Sequence, residues 1–127
     1  ANPDTYTKFF CDLQMYTTTM PQPDPEFFMN QYTSWELSQK DNKWQGRNIC
    51  RWSNPEYDQI YRDAQSEIDP VKRAALFIKC NDLVISDRAV IAVVARPQVG
   101  AKASKLQAPL SGWDNTTWLI ADWFREA

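Results

Sequence analysis

The sequence contains no histidine among its 127 residues. Histidine is the usual partner of a serine or cysteine nucleophile, a common general base and a frequent metal ligand, so these roles are excluded within this chain. Chemistry between paired carboxylates remains open. Every close pair falls on the polar face or at the end of a predicted helix, where solvated surface groups are the simpler interpretation. The pairs are Glu56 with Asp58, Asp63 with Glu67, and Asp82 with Asp87.

Glycine and positive charge are also scarce. The three glycines, Gly46, Gly100 and Gly112, are scattered along the chain and cannot form a glycine-rich phosphate loop. The formal net charge is −2, and no run of Lys or Arg forms a basic face for phosphate groups. We therefore expect no nucleic-acid partner.

Long apolar runs are missing as well. The longest, residues 89–95, is far shorter than the roughly 20 residues of a transmembrane helix. No signal peptide opens the chain, and residues 1–4 resemble the middle of a loop. We expect a chain that does not itself span a membrane and that has been cut from a longer protein.

Cysteine is limited to Cys11, Cys50 and Cys80, with no CxxC spacing and no histidine to complete a zinc site. One disulfide with one free thiol is compatible with an oxidising compartment. Three buried thiols are equally compatible, because free Cys packs as a small apolar side chain. The pairing stays open, and we expect no metal ion and no cofactor.

Aromatic residues, in contrast, are plentiful, with six Trp, five Tyr and six Phe. Each buries a large apolar area, so a chain of one-domain length can build a core from them. The apolar fraction of 43% and the charged fraction of 24% are typical of a globular domain.

The first pattern along the chain is an alternation of apolar and more polar residues over residues 9–16, which predicts a strand. Three prolines then rule out a helix over residues 17–25. Residues 89–95 are rich in β-branched residues and apolar throughout, which predicts a strand covered on both faces. A further short strand is possible over residues 99–106.

Three helices are predicted from one repeated signal, a capping residue followed by proline. It occurs at Asp24-Pro25, Asn54-Pro55 and Asp69-Pro70 and predicts helices over residues 25–33, 55–68 and 70–85. Their apolar stripes are Phe28, Met29 and Tyr32; Tyr57, Ile60, Tyr61, Ala64 and Ile68; and Val71, Ala74, Ala75 and Ile78, widened by Leu76, Cys80, Leu83 and Val84. We expect the last two helices to pack as an antiparallel pair in an α/β or α+β fold.

The loop after the first predicted strand is the first candidate binding segment. Its hydroxyl groups, on Thr17, Thr18 and Thr19, suit hydrogen bonds to peptide amides, and Asp24 opens the next helix. The alternative is a connection stiffened by proline, with Asp24 acting only as a helix cap.

The second candidate is residues 44–52, with the sequence WQGRNICRW. Arg47 and Arg51 suit a carboxylate, Asn48 an amide, and Trp44 and Trp52 a flat group. The alternative is that both Trp residues anchor the loop while both Arg residues face water.

A series of motifs in the same order resembles a known family. The motifs are residues 11–16 (CDLQMY), 23–28 (PDPEFF), 48–58 (NICRWSNPEYD), 69–73 (DPVKR) and the apolar run 89–95. They resemble the C-terminal region of the family 5 extracytoplasmic solute-binding proteins, the peptide-binding proteins of dipeptide and oligopeptide ABC importers. The resemblance extends over residues 9–123.

The resemblance implies a fragment of a two-lobed periplasmic binding protein. Residues 1–97 would belong to the second lobe, and residues 98–127, with Trp113 and Trp118, would return to the first. The implied function is non-enzymatic capture of a peptide in a cleft between the lobes, outside the cytoplasm, for delivery to a membrane permease. The ligand-binding residues that we predict from the two candidate segments are Thr17, Thr18, Thr19, Asp24, Asn48, Arg51 and Trp52.

Several alternatives remain beside that interpretation. In the family an acidic residue often follows the first motif and meets the α-amino group of the peptide. Here residues 19–21 are not acidic, which leaves open a blocked, modified or non-peptide ligand. A sugar- or opine-binding relative, a carboxylate-based hydrolase and an interaction module without a ligand are the other possibilities.

Overall fold

The computed structural model describes residues 6–95, 101–109 and 119–126, which form a small α+β unit. Its helices are α1 (Glu26–Met29), α2 (Pro55–Ser66) and α3 (Pro70–Ser86), and its strands are β1 (Leu106–Gln107) and β2 (Phe124–Arg125). The strands form an antiparallel two-stranded sheet. Short 3-10 helices occupy Tyr6–Lys8, Asn30–Tyr32, Ser34–Glu36, Lys40–Asn42 and Ile120–Asp122. The broad α+β prediction is confirmed.

The predicted helix starts are confirmed, and each has a local cause. The Asn54 side chain accepts hydrogen bonds from the backbone N–H groups of Glu56 and Tyr57, and Pro55 opens α2. Asp69 caps α3 in the same way. Before α1, Asp24 Oδ1 accepts the Glu26 N–H at 2.9 Å. These caps satisfy donors that the first helical turn leaves without partners.

The core lies between α2, α3 and the segment that begins with α1. Its buried side chains from these elements are Met29, Tyr32, Tyr57, Tyr61, Ala64, Phe77, Cys80 and Val84. Tyr57 is fully buried, and its hydroxyl donates to the Met29 carbonyl at 2.6 Å. Burial raises the pKa of the Tyr57 hydroxyl far above its usual value, so it remains a protonated donor.

The α2 stripe is confirmed at Tyr57, Ile60, Tyr61 and Ala64, but Ile68 is 94% exposed because α2 ends at Ser66. The predicted α3 stripe is wrong at its first half. Its apolar members there, Val71, Ala74, Ala75 and Ile78, are all exposed.

The buried face of α3 instead carries Arg73, which is partly buried, followed by Phe77, Cys80 and Val84. Phe77 packs edge-on against Tyr61, with ring centroids 6.1 Å apart. Arg73 reaches the carboxylate of Asp24. These two contacts set the orientation of α3 about its axis, so that Val71 and Ile78 face solvent.

Both predicted apolar strands are wrong. Residues 9–16 and 89–95 have no strand assignment, and no strand of the described residues pairs with them. Leu13 is 84% exposed and Val94 is 81% exposed. Alternation or β-branching supplies a suitable surface, but a strand also requires a neighbour for its backbone groups.

The structure describes only part of the residues that the C-terminal predictions concern. Of the possible strand over residues 99–106, Leu106 alone lies in β1, and residues 99–100 lie outside the described residues. Trp113 and Trp118 also lie outside them. The division at residue 97 therefore stays a prediction.

The three cysteines are free thiols, with Cys11 exposed, Cys50 half-buried and Cys80 buried. Burial raises the pKa of the Cys80 thiol to about 11, which keeps it protonated.

None of the helices in the described ranges has the length and apolar character needed to cross a bilayer.

An ion-pair cluster joins the start of α1 to α3. Arg73 Nη1 lies 2.6 Å from Asp24 Oδ2, and Nη2 lies 2.7 Å from Glu26 Oε2. The hydrogen bond from Arg73, together with the Glu26 N–H, lowers the pKa of Asp24. The Asp24 side chain remains 44% exposed, so solvent screens the pair.

We expect this cluster to make the protein less stable in acid. Because the folded pKa of Asp24 is depressed, its contribution is fully present above the ordinary Asp pKa of about 3.9 and is lost as the pH falls through the folded value. The contribution should not exceed about 1 kcal/mol. Urea unfolding at a series of acidic pH values should show a flatter dependence for Asp24→Asn than for the native chain. Equal dependence in both proteins would contradict the assignment to Asp24.

Candidate functional site

The main candidate site is an open groove of about 390 Å³, called the polar groove below. Residues from the coil before α1, the 3-10 turn after α1 and the loop before α2 form its walls. The lining residues are Thr7, Tyr16, Thr17, Thr18, Gln31, Trp44, Gln45, Gly46, Arg47 and Ile49.

One wall of the polar groove is built by a tight turn at residues 39–46. The Asn42 side chain donates to the Leu37 carbonyl at 2.6 Å and accepts the Gln39 N–H at 3.1 Å. Lys43 and Trp44 both have positive φ, at 57° and 62°, which brings Trp44 N–H to the Gln39 carbonyl. This local strain fixes the indole at the groove.

Gly46 is required by a close backbone approach in the same wall. A Cβ atom there would lie 2.3 Å from the Glu36 carbonyl oxygen and 2.4 Å from that of Leu37. Both neighbours are main-chain atoms, so they cannot move aside as a flexible side chain would. Glycine therefore allows the loop to pack against residues 36–37 beside the groove.

Arg47 is placed by three contacts. Its backbone N–H donates to Glu36 Oε2 at 3.3 Å, and its Nη1 donates to the Phe27 carbonyl at 3.0 Å. Its guanidinium carbon lies 4.0 Å from the centre of the Phe27 ring, a cation–π distance. These contacts fix the position of the positively charged Arg47 side chain beside the groove.

The opposite wall contains part of the predicted threonine site. Thr17 and Thr18 line the polar groove, whereas Thr19 is exposed and does not. Thr18 Oγ1 lies 3.5 Å from Oε1 of Gln31, which is only 7% exposed. Gln31 Nε2 donates to the Phe28 carbonyl at 2.9 Å. Burial, with the neighbouring Cys50 thiol, raises the pKa of the Tyr16 hydroxyl in the same wall.

Asn48 is buried behind the groove and does not line it. Its Nδ2 donates to the carbonyls of Thr33 and Trp52, at 3.0 Å and 2.8 Å. Its Oδ1 accepts from the Cys50 thiol at 3.4 Å. The side chain therefore ties the loop before α2 to the segment after α1.

Arg51 and Trp52 also have partners within the protein. The Arg51 guanidinium donates to the carbonyls of Lys8, Phe9 and Ser38. Trp52 packs edge-on against Tyr57, and its Nε1 donates to Asp87 at 3.1 Å. These contacts position the coil before α1 and the start of α2, and neither residue lines the groove.

Asp24 belongs to a separate, shallower depression of about 480 Å³. Its lining residues are Gln22, Asp24, Glu26, Phe27, Asn30, Tyr61 and Gln65. The ion pair with Arg73 and the hydrogen bond from Glu26 N–H make Asp24 a structural cap of α1. Ligand binding by Asp24, Asn48, Arg51 and Trp52 stays a prediction.

Sequence reasoning missed Gln31 and Gln45 as groove residues. Gln31 lies in the predicted first helix, where a polar residue is usually assigned to the solvent side. Gly46 gave the one usable signal, as a rare glycine inside a loop already marked by Trp44 and Arg47. Elsewhere in the described ranges, no set of three or more acidic or cysteine side chains is placed to hold a metal ion.

Comparisons with known proteins add no relative to these observations. No protein-family model, no curated protein and no solved structure matches this chain.

Proposed function

We propose that the polar groove binds a peptide or peptide-like ligand, and that this chain is part of the substrate-binding component of an ABC-type importer. One observation carries the proposal. Two segments that the sequence marks independently, the threonine loop and the WQGR turn, line the same groove through Thr17, Thr18, Trp44 and Arg47. Trp44 follows Thr18 by 26 positions in the sequence, so local connectivity does not explain their meeting.

The chemistry of the groove favours reversible capture. Hydroxyl and amide groups on Thr18 and Gln31 suit the N–H and C=O groups of a peptide, and Trp44 supplies an aromatic wall. Tight sites bury about 70–90% of a ligand's surface, which an open groove does not. A second lobe, the division at residue 97, the permease partner and the extracytoplasmic location belong to the proposal and rest on the motif resemblance.

We expect this chain alone to bind peptides with a Kd weaker than about 1 mM, or a binding free energy of less than about 4 kcal/mol. NMR titration of the ¹⁵N-labelled chain with a mixed peptide pool should move the backbone amide signals of the groove residues. Thr18→Val should reduce affinity about fivefold, the equivalent of about one hydrogen bond. Thr19→Val is the matched control, because Thr19 does not line the groove, and should leave affinity unchanged.

Three results would count against this function. Signals that move only outside the groove would show that it is not the site. Micromolar binding by this chain would contradict the expectation that an open groove buries too little of a ligand for tight binding. Unchanged affinity in Thr18→Val would make the threonine loop a connector.

A sugar or opine ligand is the second candidate, and the position of Trp44 favours it. An indole that lines a groove offers a flat face for a sugar ring. The Trp44 ring packs edge-on against Phe10, with ring centroids 5.5 Å apart. The guanidinium carbon of Arg51 lies 5.2 Å from the centre of the Trp44 ring. A monosaccharide and an opine in the same titration distinguish these ligands from peptides.

A further inference from the structure

We propose that the polar groove selects ligands that combine an amide with a carboxylate and carry no cationic group, such as N-acylated amino acids and N-blocked peptides. This inference rests on the proposed function and adds the ligand class. It follows from the charges around the groove and from the one deeply buried polar side chain in its wall.

The charged side chains that line the groove have a single sign. Among the ten described lining residues, Arg47 is the only charged one. A second cation, Arg51, lies against the Trp44 ring, with its guanidinium carbon 5.2 Å from the ring centre. A free α-ammonium group in the groove would meet the Arg47 guanidinium, with Arg51 beyond the Trp44 ring, and no lining carboxylate. Desolvating such a cation without a counter-charge is unfavourable.

The Glu36 carboxylate, which contacts this wall, does not reverse that sign. Glu36 does not line the groove. Its Oε2 accepts the Arg47 backbone N–H at 3.3 Å, and its Oε1 accepts Asn30 Nδ2 at 3.0 Å. Both Glu36 oxygens therefore accept a hydrogen bond within the protein, and the carboxylate is not part of the groove lining.

Arg47 retains donors for a ligand carboxylate. A guanidinium carries five N–H donors, and within the described residues only Nη1 has a hydrogen-bond partner, the Phe27 carbonyl. The stacking on Phe27 fixes the plane of the group. Arginine held in this way suits a planar carboxylate.

Gln31 and Thr18 form the amide-recognising part. Gln31 Nε2 donates to the Phe28 carbonyl, and this directs its Oε1 towards Thr18. The 3.5 Å separation of Gln31 Oε1 and Thr18 Oγ1 exceeds the usual 2.5–3.0 Å of an O–H···O hydrogen bond. The N–H of a ligand amide can donate to Gln31 Oε1, and the Thr18 hydroxyl can donate to a neighbouring carbonyl on the same edge of the ligand.

Three dipeptide probes of similar size separate these features in NMR titrations of the chain. N-acetyl-Ala-Ala has a carboxylate and no amine, Ala-Ala-amide has an amine and no carboxylate, and N-acetyl-Ala-Ala-amide has neither. We expect the acetylated acid to bind at least about tenfold more tightly than the amine, and the neutral probe to lie between them. All signals that move should belong to groove residues.

The variant Arg47→Gln tests the origin of the preference. It should abolish the difference in affinity between the acetylated acid and the neutral probe. Arg47→Lys keeps the charge and should restore most of the preference. Loss of neutral-probe binding as well as acid binding in Arg47→Gln would assign Arg47 to the fold of the loop and overturn its role in selectivity.

The outcomes also separate this inference from the proposed function. If the amine binds in the groove as tightly as the acetylated acid or more tightly, the ligand class is wrong while peptide binding stands. If none of the three probes moves a groove signal, peptide binding by the groove is itself wrong.

Discussion

Tyr57→Ala is expected to lower the free energy of unfolding by about 4 kcal/mol, a larger loss than any other change considered for this chain. Tyr57 is fully buried, contacts Trp52 and Tyr61 with its ring and donates to the Met29 carbonyl. Truncation removes the aromatic contacts, leaves a cavity between α2 and the α1 segment, and leaves the Met29 carbonyl without this donor. Small domains are stable by about 5–15 kcal/mol, so this variant should be close to unfolding.

Two further variants separate the contribution of the Tyr57 hydroxyl from that of its ring and provide a control on α3. Tyr57→Phe keeps the ring and removes only the hydroxyl, so we expect a loss of about 1–2 kcal/mol. Ile78→Ala is the control on α3, where a 61% exposed side chain should change stability by less than about 0.5 kcal/mol. Urea denaturation measures all three. A larger loss for Ile78→Ala than for Tyr57→Phe would mean that α3 presents its other face to the core.

The helix starts could be predicted because their causes are local. Asn54 with Pro55, and Asp69 with Pro70, contain in adjacent residues both the cap and the preset φ of the first turn. The same holds for the α2 stripe, where a single face is clearly apolar. Local sequence was sufficient wherever the residues that decide the structure lie within one or two turns of each other.

The buried face of α3 could not be predicted in this way. Its helix is apolar on more than one side, so periodicity alone does not choose between Val71 with Ile78 and Phe77 with Val84. The choice is made by partners far away in sequence. Asp24, which binds Arg73, precedes it by 49 residues. The two predicted strands failed for a related reason, because a strand is completed only by a neighbouring chain segment.

The sequence predicted the separate segments of the candidate site, but it did not predict that they meet in one groove. Thr17, Thr18 and the WQGR turn were identified from residue type, but their meeting in one groove depends on the tertiary fold. Asn48 and Arg51, predicted as ligand contacts, have hydrogen-bond partners within the protein. Their hydrogen-bonding capacity suggested ligand contacts, and the structure uses it on backbone carbonyls that loops leave without partners.

Asn48→Ala is expected to lower the free energy of unfolding by about 2–3 kcal/mol, the second-largest loss. The Asn48 side chain is 1% exposed and donates to the carbonyls of Thr33 and Trp52. The Thr33 carbonyl keeps the Glu36 N–H at 3.2 Å, but within the described residues the Trp52 carbonyl has no second donor. Most of the loss therefore comes from one partly buried carbonyl and from the space that the side chain fills. Asn81→Ala on the exposed face of α3 is the matched control and should change stability by less than about 0.5 kcal/mol.

The same variant separates a structural role of Asn48 from a direct ligand contact. Because Asn48 does not line the polar groove, Asn48→Ala should affect peptide binding only through the population of folded chain. NMR titration at low temperature, where the folded state is retained, should give the native affinity for N-acetyl-Ala-Ala. Unchanged stability with weakened binding would reverse this assignment, because Asn48 would then act on the ligand and not on the loop. Lowered stability with unchanged affinity is the result that its buried hydrogen bonds predict.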